Sequence, residues 1–115
     1  MKKIALFAFN GELMCFVHVL LNALDMQAKG YEVKVIIEGT ATKLVSELAR
    51  EDNPFSSMYQ KVKDAGLIAG ACKACSNKMG VLDEVQMEGL EFLTDMSGHP
   101  GMASYIEQGY EIITF

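Results

Sequence analysis

Two cysteines stand three positions apart in ACKACSNKMG, residues Ala71 to Gly80. A C-x-x-C pair supports four kinds of behaviour. Buried, both act as small apolar side chains. Otherwise they form a redox dithiol, supply two ligands to a metal, or furnish a nucleophile that carries sulfur. A thioredoxin-type dithiol is disfavoured, because the pair follows the third expected strand rather than the first. Neither Pro54 nor Pro100 falls in that fold's companion loop. A metal needs ligands beyond the pair; Cys15, His18 or His99 could complete such a set, but no spacing requires it.

If Cys72 opens a short helix, Cys75 lies on the same face. Unpaired amides and the helix dipole would then favour the thiolate. Lys73 or Lys78 would add to this if either came close. The expectation is a Cys72 thiol of lowered pKa, nucleophilic at neutral pH. The preceding Ala69-Gly70-Ala71 leaves its approach uncrowded.

The elements that position this pair follow from hydropathy. Lys3 to Phe9 is almost continuously apolar, as in a strand buried on both faces. Leu13, Phe16, Val17, Leu20, Leu21 and Leu24 then recur at helical spacing, and Gly30 is a fitting stop. Val33 to Ile37 is β-branched and reads as a second strand. Thr40 can cap a helix bearing Ala41, Leu44, Val45 and Leu48, which Asn53-Pro54 breaks. Phe55, Met58, Tyr59 and Val62 form another helical stripe ending at Gly66. Leu67 to Ala71 is a third strand and Leu90 to Thr94 a fourth; Val81 to Met87 carries no clear pattern. Pro100 suits a first helical turn, in a helix that runs to Gly109, and Tyr110 to Phe115 is the last strand.

Buried strands alternating with helices predict one α/β domain over residues 1–115, with a parallel sheet between helical layers. Function in such sheets gathers beyond the carboxyl ends of the strands. That rim collects Asn10 and Gly11, Glu38, Cys72 and Cys75, and Asp95 with His99. His99 is a candidate for orienting a ligand or moving a proton. Glu38 would oppose a neighbouring thiolate or a phosphate. Cys15, Val19, Asn22 and Met26 share the outer face of the first helix, and Cys, Val and Met make it unusually apolar for a solvated face and suited to subunit contact.

Composition excludes several classes. The 115 residues are 50% hydrophobic and 22% charged, as expected of a globular chain. A net charge of −5 with a single arginine argues against nucleic acid and anionic membranes. No stretch is long and apolar enough to span a bilayer. The start, Met1 to Phe9, resembles a signal peptide, but it runs into Asn10-Gly11-Glu12 without a cleavage site. With an odd number of cysteines, this predicts a reducing, cytoplasmic location. There is no G-x-G-x-x-G and no P-loop, so no nucleotide or other cofactor is expected.

The run Cys72-Lys73-Ala74-Cys75-Ser76-Asn77-Lys78-Met79-Gly80-Val81 is similar to the active-cysteine segment of DsrE/DsrF-like sulfur-relay proteins. The tail Asp95-Met96-Ser97-Gly98-His99-Pro100-Gly101-Met102-Ala103, through Gly109-Tyr110, resembles that of small DsrE-like proteins. Cys72 occupies the position of the family's persulfide-carrying cysteine, and Lys78 and Gly80 match its basic-then-glycine ending. The resemblance implies a three-layer α/β/α sandwich with a five-stranded parallel sheet, flavodoxin-like in outline. It also implies trimeric or hexameric assembly and sulfur handed between donor and acceptor proteins as a persulfide. Cys75 departs from the relay pattern and adds a second thiol. The expected site is therefore Cys72 and Cys75 as reacting groups, with Asn10, Gly11, Glu38, Lys78, Asp95 and His99 around the substrate and no metal. The alternative is a non-catalytic homo-oligomer that uses C-x-x-C to hold a metal or small ligand.

Overall fold

The computed structural model describes residues 1–115. Its five strands are β1 (Lys3–Ala8), β2 (Glu32–Ile37), β3 (Ile68–Cys72), β4 (Phe92–Leu93) and β5 (Glu111–Thr114). The helices are α1 (Leu13–Ala28), α2 (Leu44–Leu48), α3 (Ser56–Asp64), α4 (Lys73–Lys78), α5 (Leu82–Met87) and α6 (Ala103–Glu107). All the strand pairs are parallel, in the order β4-β3-β2-β1-β5. The expected α/β sandwich is present, and no helix is long and apolar enough to cross a membrane.

Strand order decides where the helices go. From β1 to β4 the chain steps one way across the sheet, so right-handed crossovers put the intervening helices on one face. The return from β4 to β5 puts α6 on the other. The core divides accordingly. Nineteen buried residues, including Phe16, Leu20, Leu48, Tyr59, Val62 and Val85, fill the many-helix side. A smaller cluster of four, Ala5, Phe7, Ile36 and Tyr110, is buried on the side of α6. There Tyr105 meets Phe7 and Tyr110 edge-on, at centroid distances of 5.6 and 5.7 Å.

Several sequence expectations change here. Val19 is fully buried and Met26 packs against the main core, whereas Leu21 is 45% exposed. The outer face read from Cys15, Val19, Asn22 and Met26 therefore turns partly inward. Apolar residues surround most of α1, which packs on both the sheet and α3, so periodicity alone does not orient it. Thr40 caps no α-helix: a 3₁₀ turn spans Gly39–Lys43 before α2. Its Oγ1 instead accepts the Gly11 N–H at 2.8 Å and donates to the Phe9 carbonyl at 3.2 Å, tying two rim loops together. The fourth strand shortens to Phe92–Leu93, and α6 starts at Ala103 rather than at Pro100. The patternless Val81 to Met87 contains α5, which buries only Val85.

Gly70 sets how β3 reaches its last residue. The β2–β3 register shifts beside it, and the Ala71 N–H donates to the Glu91 carbonyl at 2.9 Å. A Cβ at Gly70 would collide with that same Glu91 carbonyl oxygen and stand 2.8 Å from Leu93 Cγ. Gly70→Ala is expected to destabilise the fold by about 1–3 kcal/mol through this overpacking. Urea unfolding checks it; a variant as stable as the parent contradicts the close approach of β3 and β4.

Candidate functional site

Cys72 ends β3 and is the N-cap of α4, where its Sγ accepts the Cys75 N–H at 3.3 Å. Buried Ser76 donates its Oγ–H to the Cys72 carbonyl at 2.7 Å, which fixes the first turn from within. Cys75 thereby comes onto the same face as Cys72, as its three-residue spacing requires.

A second loop closes over the pair. Met96 and His99 exchange backbone hydrogen bonds of 2.7 and 2.9 Å, with Ser97 (φ 52°) and Gly98 (φ 89°) between them. Two positive φ values in sequence make a tight two-residue reversal. Its Gly98 carbonyl accepts the Ala74 N–H at 3.0 Å, and a Cβ on Gly98 would already lie 3.4 Å from Ala74 Cβ. The reversal therefore lies on the start of α4 and delivers the His99 imidazole. His99 Nδ1 stands 3.1 Å from Cys72 Sγ and 3.7 Å from Cys75 Sγ. Cys72 is fully buried, while Cys75 and His99 are half-buried.

The electrostatics correct the expectation of a lowered Cys72 pKa. Burial pushes the Cys72 thiol up to about 12, and the Cys75 thiol beside it adds to the rise. The single Cys75 N–H acts the other way and is outweighed. A six-residue helix offers too little aligned dipole to reverse the cost of desolvation. The charge that bears on the thiol is that of Glu38, a further push upward, rather than that of a lysine. Resting Cys72 is thus a neutral thiol, with the His99 Nδ1 at 3.1 Å and the Gly98 carbonyl, which can accept its S–H, at 3.7 Å.

The other expected rim residues separate by role. Glu38 follows the Ile37–Ala71 pair and so lies beside Cys72 at the sheet's end. Its side chain is buried, and desolvation raises its carboxyl to about 7. Asn10 Oδ1 accepts the Glu12 N–H at 2.8 Å, and Gly11 is held by Thr40; both shape the rim without touching the cysteines. Asp95 accepts the Gly101 N–H at 3.2 Å and so braces the loop that carries His99. Lys78 is exposed in the last turn of α4. Cys15 and His18 belong elsewhere, in a shallow depression shared with Asn22 and Phe115. Hydrogen bonding to Glu12 raises the Cys15 thiol. Composition named Cys15, His18 and His99 as possible companions of the pair, and the fold selects His99. The reversal that selects it was signalled only by the dipeptide Ser97-Gly98.

A parallel α/β sheet with two thiols and an imidazole at the mouth of its third strand defines a cysteine-centred α/β protein. The chain belongs to the DsrE/DsrF-like family, whose model matches residues 13–115. Membership supports a sulfur-relay-type function at the level of the family. An uncharacterised protein of Methanocaldococcus jannaschii is 36% identical over 96 residues, 84% of this chain and 76% of that protein. An uncharacterised protein of Archaeoglobus fulgidus is 49% identical over 41 residues, covering 36% of this chain and 67% of its own length. A conserved protein of unknown function from Bacteroides thetaiotaomicron shares the fold, with a TM-score of 0.72 over 99% of this chain and 95% of its own, at 19% identity.

Glu38 yields a pH prediction. Its folded pKa of about 7 lies above the ordinary 4.5, so the folded state retains a proton that the unfolded chain has already lost. The stabilisation from that proton is complete below the ordinary value and is lost as pH rises through about 7. Glu38→Gln is expected to flatten this decline and to exceed the parent's stability under alkaline conditions. Denaturation midpoints across that interval check it; a variant with the parent's slope contradicts the assignment.

Proposed function

We propose that this protein accepts sulfane sulfur as a persulfide on Cys72 and passes it to an acceptor thiol. The observation that supports this most directly is that one imidazole nitrogen, His99 Nδ1, faces both sulfur atoms, at 3.1 and 3.7 Å. Buried Cys72 is out of a donor's reach, whereas Cys75 is half-exposed. Sulfur therefore arrives at Cys75. The Cys75 sulfur attacks the terminal sulfur of a donor persulfide R–S–SH, giving Cys75–S–SH and releasing R–SH. Cys72 then gives its proton to His99 Nδ1 and attacks the outer sulfur of that persulfide. Cys72–S–SH forms, and Cys75 leaves as a thiolate that recovers the proton from His99; for delivery the same exchange runs in reverse, and the acceptor thiol takes the outer sulfur from half-exposed Cys75. No net oxidation occurs, and a neutral resting thiol is protected from adventitious electrophiles.

Intact mass after treatment with a labelled sulfane-sulfur donor tests this. The parent is expected to gain one sulfur that maps to Cys72. Cys75→Ser should load slowly, and His99→Ala should lose about a hundredfold or more in transfer rate. Cys72→Ser is expected to hold no sulfur beyond a transient on Cys75. Uptake by Cys72→Ser equal to that of the parent overturns the role.

The same reading includes a cytoplasmic homo-oligomer, trimer or hexamer, in which sulfur leaves for a partner protein. Three free thiols suit a reducing compartment. Met14, Leu21, Phe9 and Ile113 remain between 37% and 47% exposed, and β5 is an open edge of the sheet. Light scattering is expected to give more than one chain per particle at micromolar concentration; a monomer contradicts the assembly.

A further inference from the structure

We propose that Cys72 Sγ, Cys75 Sγ and His99 Nδ1 form a three-donor site for a zinc-class divalent cation, with a fourth coordination position left open. The three ligand atoms all lie within 4.8 Å of one another, and two of the separations are 3.1 and 3.7 Å. Tetrahedral zinc, with bonds of about 2.3 Å to sulfur and about 2.0 Å to nitrogen, holds such donors about 3.5–3.8 Å apart. The two sulfur–nitrogen separations lie on either side of that spacing's lower end. The two backbones that carry the donors are already joined, by the hydrogen bond from Ala74 N–H to the Gly98 carbonyl.

Donor chemistry selects the cation. Two thiolates and an imidazole suit zinc, and they disfavour magnesium and calcium, which take oxygen. Binding is redox-neutral: two thiols release two protons and the cation takes their place. No other histidine, cysteine, aspartate or glutamate side chain completes the cluster within 4.8 Å. The fourth position is therefore free for water, which is the arrangement of reactive rather than purely structural zinc. Cys15 and His18 take no part. The site shares Cys72, Cys75 and His99 with the sulfur chemistry proposed above but does not depend on it. A cation bound to Cys72 Sγ withholds it as a nucleophile, so the loaded protein should refuse sulfur until chelation removes the metal.

Titration of the reduced full chain with cobalt, then displacement by zinc, tests the site. One cobalt per chain is expected, with sulfur-to-cobalt charge transfer and the intense ligand-field bands of a tetrahedral ion. Cys75→Ser and His99→Ala should each weaken zinc binding by about tenfold or more, while Cys15→Ser leaves it unchanged. Zinc should raise the parent's melting temperature, and that of Cys75→Ser by less at the same concentration. Circular dichroism keeps misfolded variants out of the comparison, and half-exposed Cys75 is the safer of the two substitutions. Unaltered affinity in Cys75→Ser, loss of the site in Cys15→Ser, or a weak octahedral cobalt spectrum overturns the assignment. Sulfur uptake without zinc binding removes the metal site alone; zinc binding without sulfur uptake removes the relay reading alone.

Discussion

The structure depends on one contact between distant parts of the chain: the imidazole of His99 against the sulfur of Cys72, twenty-seven positions away. Neither group has much chemistry without the other. Cys72 alone is a buried thiol that desolvation holds in its neutral form. His99 alone is a half-buried histidine on a loop. Together they place a thiol and an imidazole nitrogen 3.1 Å apart, with a second thiol 3.7 Å from the same nitrogen.

That contact is built from ordinary local rules. A parallel strand must end somewhere, and β3 ends on the residue that caps the next helix. The cap's own side chain turns back to the N–H three residues on, which places the two sulfur atoms together. The opposing loop reverses in two residues, because Gly98 accepts a positive φ and brings no side chain against Ala74. Asp95 and the buried Pro100 then fix the approach of that loop from behind. Burial of Cys72 is thus a consequence of the architecture that delivers the His99 imidazole. The same enclosure that raises the thiol's pKa brings a ring nitrogen to 3.1 Å from its sulfur.

Much of the frame was legible in the sequence. The apolar run of β1, the β-branched β2 and the glycine-punctuated helices gave the strand and helix order, and with it the rim that holds both cysteines. Less legible was anything set by packing between elements. α1 is apolar on most sides, so Val19 and Leu21 exchanged the places that periodicity assigned them. Thr40 resembled a helix cap but bridges two loops instead. In the site, Cys72, Cys75 and His99 were identified by type and position. Whether the thiol would be ionised was not, because the balance between one amide hydrogen bond and full desolvation depends on depth of burial, which spacing does not encode.

The most direct measurement is the tautomer and environment of the His99 ring, by long-range ¹H–¹⁵N NMR on the reduced, metal-free protein. The expected result is a bare Nδ1 that accepts the Cys72 S–H, with the ring proton on Nε2. Cys72→Ala is expected to shift the His99 Nδ1 resonance while leaving His18 unmoved. A proton resident on Nδ1, or a His99 signal indifferent to removal of the Cys72 sulfur, would contradict it.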